Sequence, residues 1–318
     1  MIGIYQKIED FKPLDVPVVL TIGNFDGVHR GHHRVIEQSV SYARLIGGKS
    51  VVLTFSNHPS EVLPNRTPVL PICTPLHKKQ LLEKLSVDFL IQIPFSLEFS
   101  KQSAETFIQS IRKFIPFSHL VLGYDARFGN NRQGDQEAIQ QQAKIFGFTT
   151  DYIDCVDING ITVSSSNIRI AVKNGNFTEA SKLLERPYSI LSTVIKGEQI
   201  GTQIGFPTAN LDVANLCLPP FGVYAVHLKC DQATLPGVAN LGVAPTLKNT
   251  RLPTFEVFML DGILNLLGKT VELIPLHFLR TEVKFSSLKQ LKQQISEDIK
   301  TAKIFFKHSK KDKDELLG

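Results

Sequence analysis

An α/β half followed by an antiparallel β half is predicted for this chain of 318 residues. Three observations predict it. Up to about residue 186, short β-branched runs alternate with helical patterns. After "ERPYSI" (185–190) the texture changes to short β runs punctuated by Gly and Pro. Near the C-terminus the chain closes on one long helical pattern. A single hydrophobic core usually stops growing near this length, so two domains are expected, 1–186 and 187–318.

The first half begins with "PVVLTIG" (17–23) and "KSVVLTF" (49–55), short runs bounded by Gly and Pro that read as strands. "DFLIQIPF" (88–95) and "HLVLGYD" (119–125) have the same form. Helical patterns lie between them at 33–48, 75–85, 103–114 and 136–147, and two more follow at 166–175 and 177–185. Strands separated by helices of this length imply a parallel sheet covered on both faces, with ligands outside the carboxyl ends of the strands. In the second half, "STVIKG" (192–197), "GVYAVHLKC" (222–230), "FEVFML" (255–260) and "TVELIPLHFL" (270–279) read as an antiparallel sandwich or small barrel. Leu288, Leu291, Ile295, Ile299 and Ala302 recur at helical steps, and Ser287 with Gln290 forms a capping box ahead of them.

Composition narrows the function classes. The apolar fraction is 42% and the net charge +5, dispersed along the chain, which suits anionic small molecules and argues against nucleic acid as a partner. Cys73, Cys155, Cys217 and Cys230 are far apart and form no CxxC or Cys/His cluster, so neither a zinc site nor a disulfide framework is expected. No apolar run approaches the roughly 20 residues that span a bilayer. "MIGIYQKIEDF" lacks the basic start and apolar core of a secretory leader. A cytoplasmic protein, without membrane partners and monomeric or a weak homo-oligomer, is the expectation.

The stretch "LTIGNFDGVHRGHHRVIEQ" (20–38) concentrates Gly23, Gly27, Gly31, His29, His32 and His33 at one strand-to-helix junction. Glycines after a buried strand let backbone N–H groups approach a ligand, and a helix beginning near His32 aims its free N–H groups and positive dipole end at it. That geometry suits phosphate. His29 and His32, three apart, reach one phosphate group, where an imidazolium stabilises developing charge. A divalent metal held by His29, His32 and His33 is the alternative, and it lacks an accompanying Cys or Glu set. Ser164, Ser165 and Ser166 at a helix start offer hydroxyl and amide donors, with Arg169 one turn on; a plain serine cap explains the same residues. Asp125 sits at a strand end where substrate contacts occur, or starts an Asx turn. His58, before a proline, touches phosphate or simply occupies a loop.

In the second half, "KGEQIGTQIGFPTANL" (196–211) places Gly197, Gly201 and Gly205 in a loop able to wrap phosphates, and Pro207 fixes the start of "TAN". Thr208 and Asn210 offer oxygen ligands to Mg²⁺. On composition alone, a Gly/Pro-rich turn region explains this stretch better than a phosphate loop. Glu256 and Arg280 read, on pattern alone, as an outward charge on an alternating strand and a surface arginine.

Taken in order, "GNFDGVHRGHHRVI" (23–36), "FSNHPSEVL" (55–63), "GYDARFGNNRQGD" (123–135) and "VSSSNIR" (163–169) resemble the HxGH nucleotidyltransferase blocks of the bacterial bifunctional riboflavin kinase/FMN adenylyltransferase family. "GFPTANL" (205–211), "PPFGVYAV" (219–226), "GVANLGVAPTL" (237–247) and "LRTEVKFSSLKQLKQQI" (279–295) resemble its kinase module. The resemblance implies a Rossmann-like nucleotidyltransferase domain with a parallel sheet, then a riboflavin-kinase β-barrel with a long C-terminal helix. It implies phosphorylation of riboflavin to FMN and adenylylation of FMN to FAD, each with ATP and Mg²⁺. By the same resemblance His29 and His32 are catalytic for adenylyl transfer. Gly23, Phe25, Gly31, Ser164, Ser165, Ser166 and Arg169 lie on its ATP side, and His58 and Asp125 on its FMN side. In the kinase, Glu256 is the proton acceptor, Gly197, Gly201, Gly205 and Pro207 hold ATP, Thr208 and Asn210 hold Mg²⁺, and Arg280 meets flavin. Thr162, Thr202 and Ala126 depart from residues common in the family.

Overall fold

A computed structural model describes residues 2–64, 67–130, 133–197, 200–245, 251–262 and 266–315. The chain forms two compact units, residues 1–168 with 183–185 and residues 169–182 with 186–318.

The first unit is built on strands β1 (Gly3–Tyr5), β2 (Val18–Ile22), β3 (Lys49–Phe55), β4 (Phe89–Ile93), β5 (His119–Gly123) and β6 (Thr149–Ile153). All pair in parallel, in the order β1-β4-β3-β2-β5-β6. Helices α1 (Arg30–Leu45), α2 (Pro75–Glu83), α3 (Leu97–Ser100), α4 (Ala104–Phe114) and α5 (Gln136–Phe146) connect them, with two single 3₁₀ turns at Ile8–Asp10 and Pro59–Glu61. Every residue of β2 is buried, because the sheet is covered on both faces. One core cluster joins Leu20, Leu53, Ile91 and Leu122 to Ile108 and Ile111 of α4. A second, on the other face, joins Val52 and Leu90 to Ile36 and Val40 of α1 and Leu81 and Leu82 of α2. The strand order reverses between β2 and β5, the kind of switch point at whose strand carboxyl ends open α/β sheets admit ligands.

The four central strands coincide with the four expected apolar runs. The edge strands β1 and β6 escape the pattern: β1 has three residues and no residue of β6 is fully buried, so neither carries an apolar run. After a short hairpin of β7 (Asp157–Ile158) and β8 (Ile161–Thr162) come α6 (Ser165–Lys173) and α7 (Phe177–Leu184).

The second unit contains a closed antiparallel barrel of β9 (Ile190–Ile195), β10 (Thr208–Asp212), β11 (Gly222–Cys230), β12 (Ala233–Pro245), β13 (Arg251–Met259) and β14 (Thr270–Arg280). Closure in the order β10-β13-β12-β11-β14-β9 removes every sheet edge. A one-turn helix, α8 (Ile200–Gln203), precedes β10, and α9 (Leu288–Glu315) ends the chain. Alternation sends Leu211, Tyr224, Ala239, Leu241, Phe255 and Val257 into the barrel interior, where all are essentially fully buried. Their neighbours Val223, Ala225 and Val238 point outward and pack under Ile299, Ala302, Phe305 and Phe306 of α9. The cap on α9 differs from a capping box: the Gln290 amide N–H donates to Ser287 Oγ at 3.3 Å, but the Gln290 side chain accepts from Ser286, one residue too early.

Candidate active sites

The loops that follow β3, β2 and β5 carry His58, the glycine–histidine junction and Asp125 respectively, so adjacent strands deliver three of the sequence blocks to one end of the sheet. Helix α1 starts at Arg30, earlier than the spacing predicts, because His29 caps it. The cap is reciprocal: the His32 amide donates to His29 Nδ1 and the His29 amide donates to His32 Nδ1, both at 3.3 Å. Two imidazoles thus replace the Ser and Glu of an ordinary capping box. Their rings stack with centroids 3.4 Å apart, and Phe25 meets His32 edge-on at 5.2 Å.

The turn that brings these rings together is strained. Phe25 (φ +47°) and Val28 (φ +39°) are left-handed non-glycine residues, and for the β-branched Val28 this is a true outlier. Such residues cost on the order of 1–3 kcal/mol and persist where the surroundings over-determine them. Here Phe25 and Val28 are both buried among Val52, Leu82 and Leu90. Gly23 and Gly31 are close-approach positions: a Cβ would lie 2.9 Å from the Phe25 ring at Gly23, and 3.2 Å from the His29 ring at Gly31. The Phe25 side chain is core, so only its backbone can serve a phosphate.

With both Nδ1 atoms accepting, the neutral rings carry their proton on Nε2. Burial first, then the neighbouring His29, Lys78 and His33, hold His32 well below its ordinary value of 6.5. A buried ring among like charges resists protonation, so the structure favours a neutral N–H donor at His32 over the expected imidazolium. A pH dependence follows. Below pH 6.5 the unfolded chain binds a proton at this position that the folded unit resists, so the first unit loses stability as pH falls through that range and keeps it in full above. Thermal unfolding followed from about pH 7.5 to about pH 5.5 should show the midpoint falling, and His32→Asn should flatten the slope.

Ser165 Oγ donates to the Asp26 carbonyl at 3.0 Å, which ties the start of α6 to the same turn. Ser164 Oγ accepts from the Asn167 amide as a helix cap, while Ser166 is exposed. Arg169 lies on α6 where the second unit begins, and its carbonyl accepts from Cys217. His33 turns away to Glu185 (3.2 Å), so the three histidines do not converge as metal ligands would. His58 caps the Pro59–Glu61 turn through Nδ1, which also lies 2.7 Å from Ser60 Oγ. Asp125 stands exposed two residues past the end of β5. The carbonyl of Thr162 accepts from the Asn167 side chain, and Ala126 packs on the core.

In the second unit, a cavity of 320 Å³ lies between the outer barrel wall and α9. Thr208 and Asn210 of β10, Asn240 of β12, and Glu256 and Phe258 of β13 line it; Val238, Phe285, Leu291, Ile295 and Ile299 give it an apolar side. Asn210 and Asn240 stand directly opposite Glu256 on either side, which sets the carboxylate at the centre of a three-strand row of oxygen-bearing side chains. Glu256 does point outward on an alternating strand, but the outside of the barrel is here the inside of the cavity. Gly201 lines the same space, a Cβ at Gly197 would collide with the Asn210 amide, and Gly205 takes φ +91° just before Phe206 and Pro207.

Arg280 reaches the cavity, and its guanidinium is already gripped by Asp298: Nε and Nη2 donate to the two carboxylate oxygens at 2.7 Å each. Asn240 and Asp298 were not singled out by sequence. Strand register would have found Asn240, whereas nothing in "SEDIK" separates Asp298 from its solvated neighbours. Among the described residues no group of three or more His, Cys, Asp or Glu could hold a metal ion. Residues 131–132, 198–199 and 246–247 of the quoted blocks lie outside the described residues.

Family models match both units in turn, FAD synthetase over residues 12–167 and riboflavin kinase over residues 184–306. The bifunctional riboflavin kinase/FMN adenylyltransferase of Haemophilus influenzae is 37% identical over 90% of this chain and 94% of its own length. That of Listeria monocytogenes is 34% identical over 92% and 93%. The chain belongs to the bifunctional riboflavin kinase/FMN adenylyltransferase family. A crystal structure from Streptococcus pneumoniae described as a macrolide-efflux protein shares the architecture, with a TM-score of 0.80 and 28% identity over 94% of this chain and 98% of that one. In this family member no described helix is long and apolar enough to cross a membrane. The two matched regions each contain one of the sites above: the His29–His32 pair falls in the FAD synthetase region and the Glu256 row in the riboflavin kinase region.

Proposed function

We propose that residues 1–186 adenylylate FMN to FAD through His29 and His32, and that residues 187–318 phosphorylate riboflavin to FMN through Glu256. The observation that carries this reading is placement. The motif residues of the first unit cluster at the strand ends beside the β2/β5 reversal, and those of the second line the cavity under α9, which supports this reading.

In the first reaction an FMN phosphate oxygen attacks the α-phosphorus of ATP, the new P–O bond forms, and the bond to pyrophosphate breaks. The Nε2–H groups of His29 and His32 stabilise the charge that spreads onto the phosphoryl oxygens. Amides of the α1 turn and the serines at the start of α6 position the polyphosphate. No covalent enzyme intermediate is needed. In the second reaction the 5′-hydroxyl of riboflavin attacks the γ-phosphorus, Glu256 takes the hydroxyl proton, and ADP leaves. The apolar wall of Val238, Phe258, Leu291 and Ile295 takes the flavin ring, while the glycines before β10 hold the phosphates.

Thr208 and Asn210 offer hard oxygen donors beside Glu256, a set that fits Mg²⁺ shared with substrate phosphates. When bound there, Mg²⁺ neutralises phosphoryl charge. This reading makes riboflavin, FMN and ATP the small-molecule partners, and a cytoplasmic setting suits them.

Purified protein given riboflavin, ATP and Mg²⁺ should form FMN first and FAD later when flavins are separated over time. Flavin binding without either product would overturn the proposal, and FMN as the end product would remove its first half.

A further inference from the structure

Lys78 is an unusual residue for its position. It lies on α2 with only 5% of its surface exposed, on the helix face that also buries Leu81 and Leu82. Lysines are almost never buried to this degree without a charged partner. Here Cys73, Asp26 and Glu61 lie close enough for their charge to favour its ammonium form. Its Nζ donates to two backbone carbonyls, Asn24 at 2.7 Å and Phe55 at 2.9 Å.

Those two carbonyls belong to the loop ends of β2 and β3, immediately beneath the histidine junction. The Asn24 carbonyl also accepts from Thr54 Oγ1 at 3.0 Å, so two donors fix the peptide that leads into Phe25. Phe25 is the strained left-handed residue whose ring meets His32 edge-on. A continuous chain of contacts therefore runs from Lys78 through Asn24 and Phe25 to the His32 ring. The lysine is also close enough to His32 for its charge to help keep that ring unprotonated. His32 then favours its neutral form, and a polyphosphate calls for positive charge from neighbouring groups.

We propose that Lys78 is a positioning residue of the adenylyl-transfer site, which holds the Asn24–Phe25 turn in its strained form and supplies the buried positive charge under the polyphosphate. The proposal rests on the adenylyltransferase reading above. Burial disfavours the Lys78 ammonium, Cys73, Asp26 and Glu61 nearby favour it, and a bound polyanion favours it further. Nothing in the sequence distinguishes Lys78 from Lys79 or Lys84, since its role comes from the strand ends it reaches.

The test compares Lys78→Met with the parent protein in three measurements: FAD formation from FMN and ATP, FMN formation from riboflavin and ATP, and the NMR titration of His32. Lys78→Met should lower kcat/KM for FAD formation by about a hundredfold. The His32 midpoint should rise, and FMN formation should be unchanged. If Lys78→Met fails to fold, Lys78→Gln keeps two amide donors without the charge and is read the same way. A loss below about threefold overturns the proposal, as does a loss with an unmoved His32 midpoint, which marks a purely structural lysine. Absence of FAD formation in the parent protein instead overturns the adenylyltransferase reading itself.

Discussion

Replacing His29 with alanine stops the flavin series at FMN. Riboflavin is consumed at the parent rate, FMN accumulates, and FAD formation falls by about a hundredfold to a thousandfold, the usual effect of removing one donor aimed at developing charge. The substitution removes two things at once. One is the Nε2–H donor that the proposed reaction uses; the other is the Nδ1 acceptor that caps α1 at 3.3 Å. Loss of a cap alone costs about 1 kcal/mol of stability and no chemistry. His29→Asn separates the two effects, because asparagine caps well but is too short to present a donor where Nε2 stands. The expected result is a thermal midpoint near the parent's for His29→Asn, lower for His29→Ala, and FAD formation equally poor in both. Restored FAD formation in His29→Asn would show that His29 acts only as a cap. Time-resolved flavin separation with a melting curve on each variant reads all of this.

The parts of the fold that were legible in the sequence are those whose burial is two-sided. Strands β2 and β3 read as strands because both faces are covered, so most of their buried positions are apolar, with Thr21, Ser50 and Thr54 as buried polar exceptions. Strands β1 and β6 lie at the sheet edges and kept polar residues, so no run marked them. Within the barrel, β11 was visible through its apolar run, while β12, rich in glycine and alanine, matched no simple alternation.

The sites divide in the same way. His29 and His32 were legible because capping geometry is local, three residues apart on one turn. Their charge state was not, since it depends on burial and on Lys78, which is 46 residues along the chain from His32 and reaches the turn only through α2. Arg280 was visible as a cation in a family block. That it faces the cavity clamped by Asp298 is a tertiary fact, set by where α9 crosses the barrel. The residues missed are thus those whose partners lie on another element.

Glu256→Gln separates the two activities from the other side. Riboflavin phosphorylation should fall by about a hundredfold to ten-thousandfold, the range general-base removal produces, while FMN supplied from outside is still converted to FAD at the parent rate. Glutamine matches the shape of glutamate and stays opposite Asn210 and Asn240 in the register of β10, β13 and β12, so the barrel is undisturbed. What it removes is the negative oxygen that accepts the hydroxyl proton. A role in binding alone would appear differently: KM for riboflavin or ATP would rise while kcat held. A role as a mere outward charge would leave both constants within about threefold of the parent, because an exposed charge away from chemistry contributes little. The cavity makes that last outcome the least compatible with the geometry. A carboxylate flanked by two asparagines lines a cavity with Phe258, Ile295 and α9, and a cavity setting of that kind gives the charge something to act on.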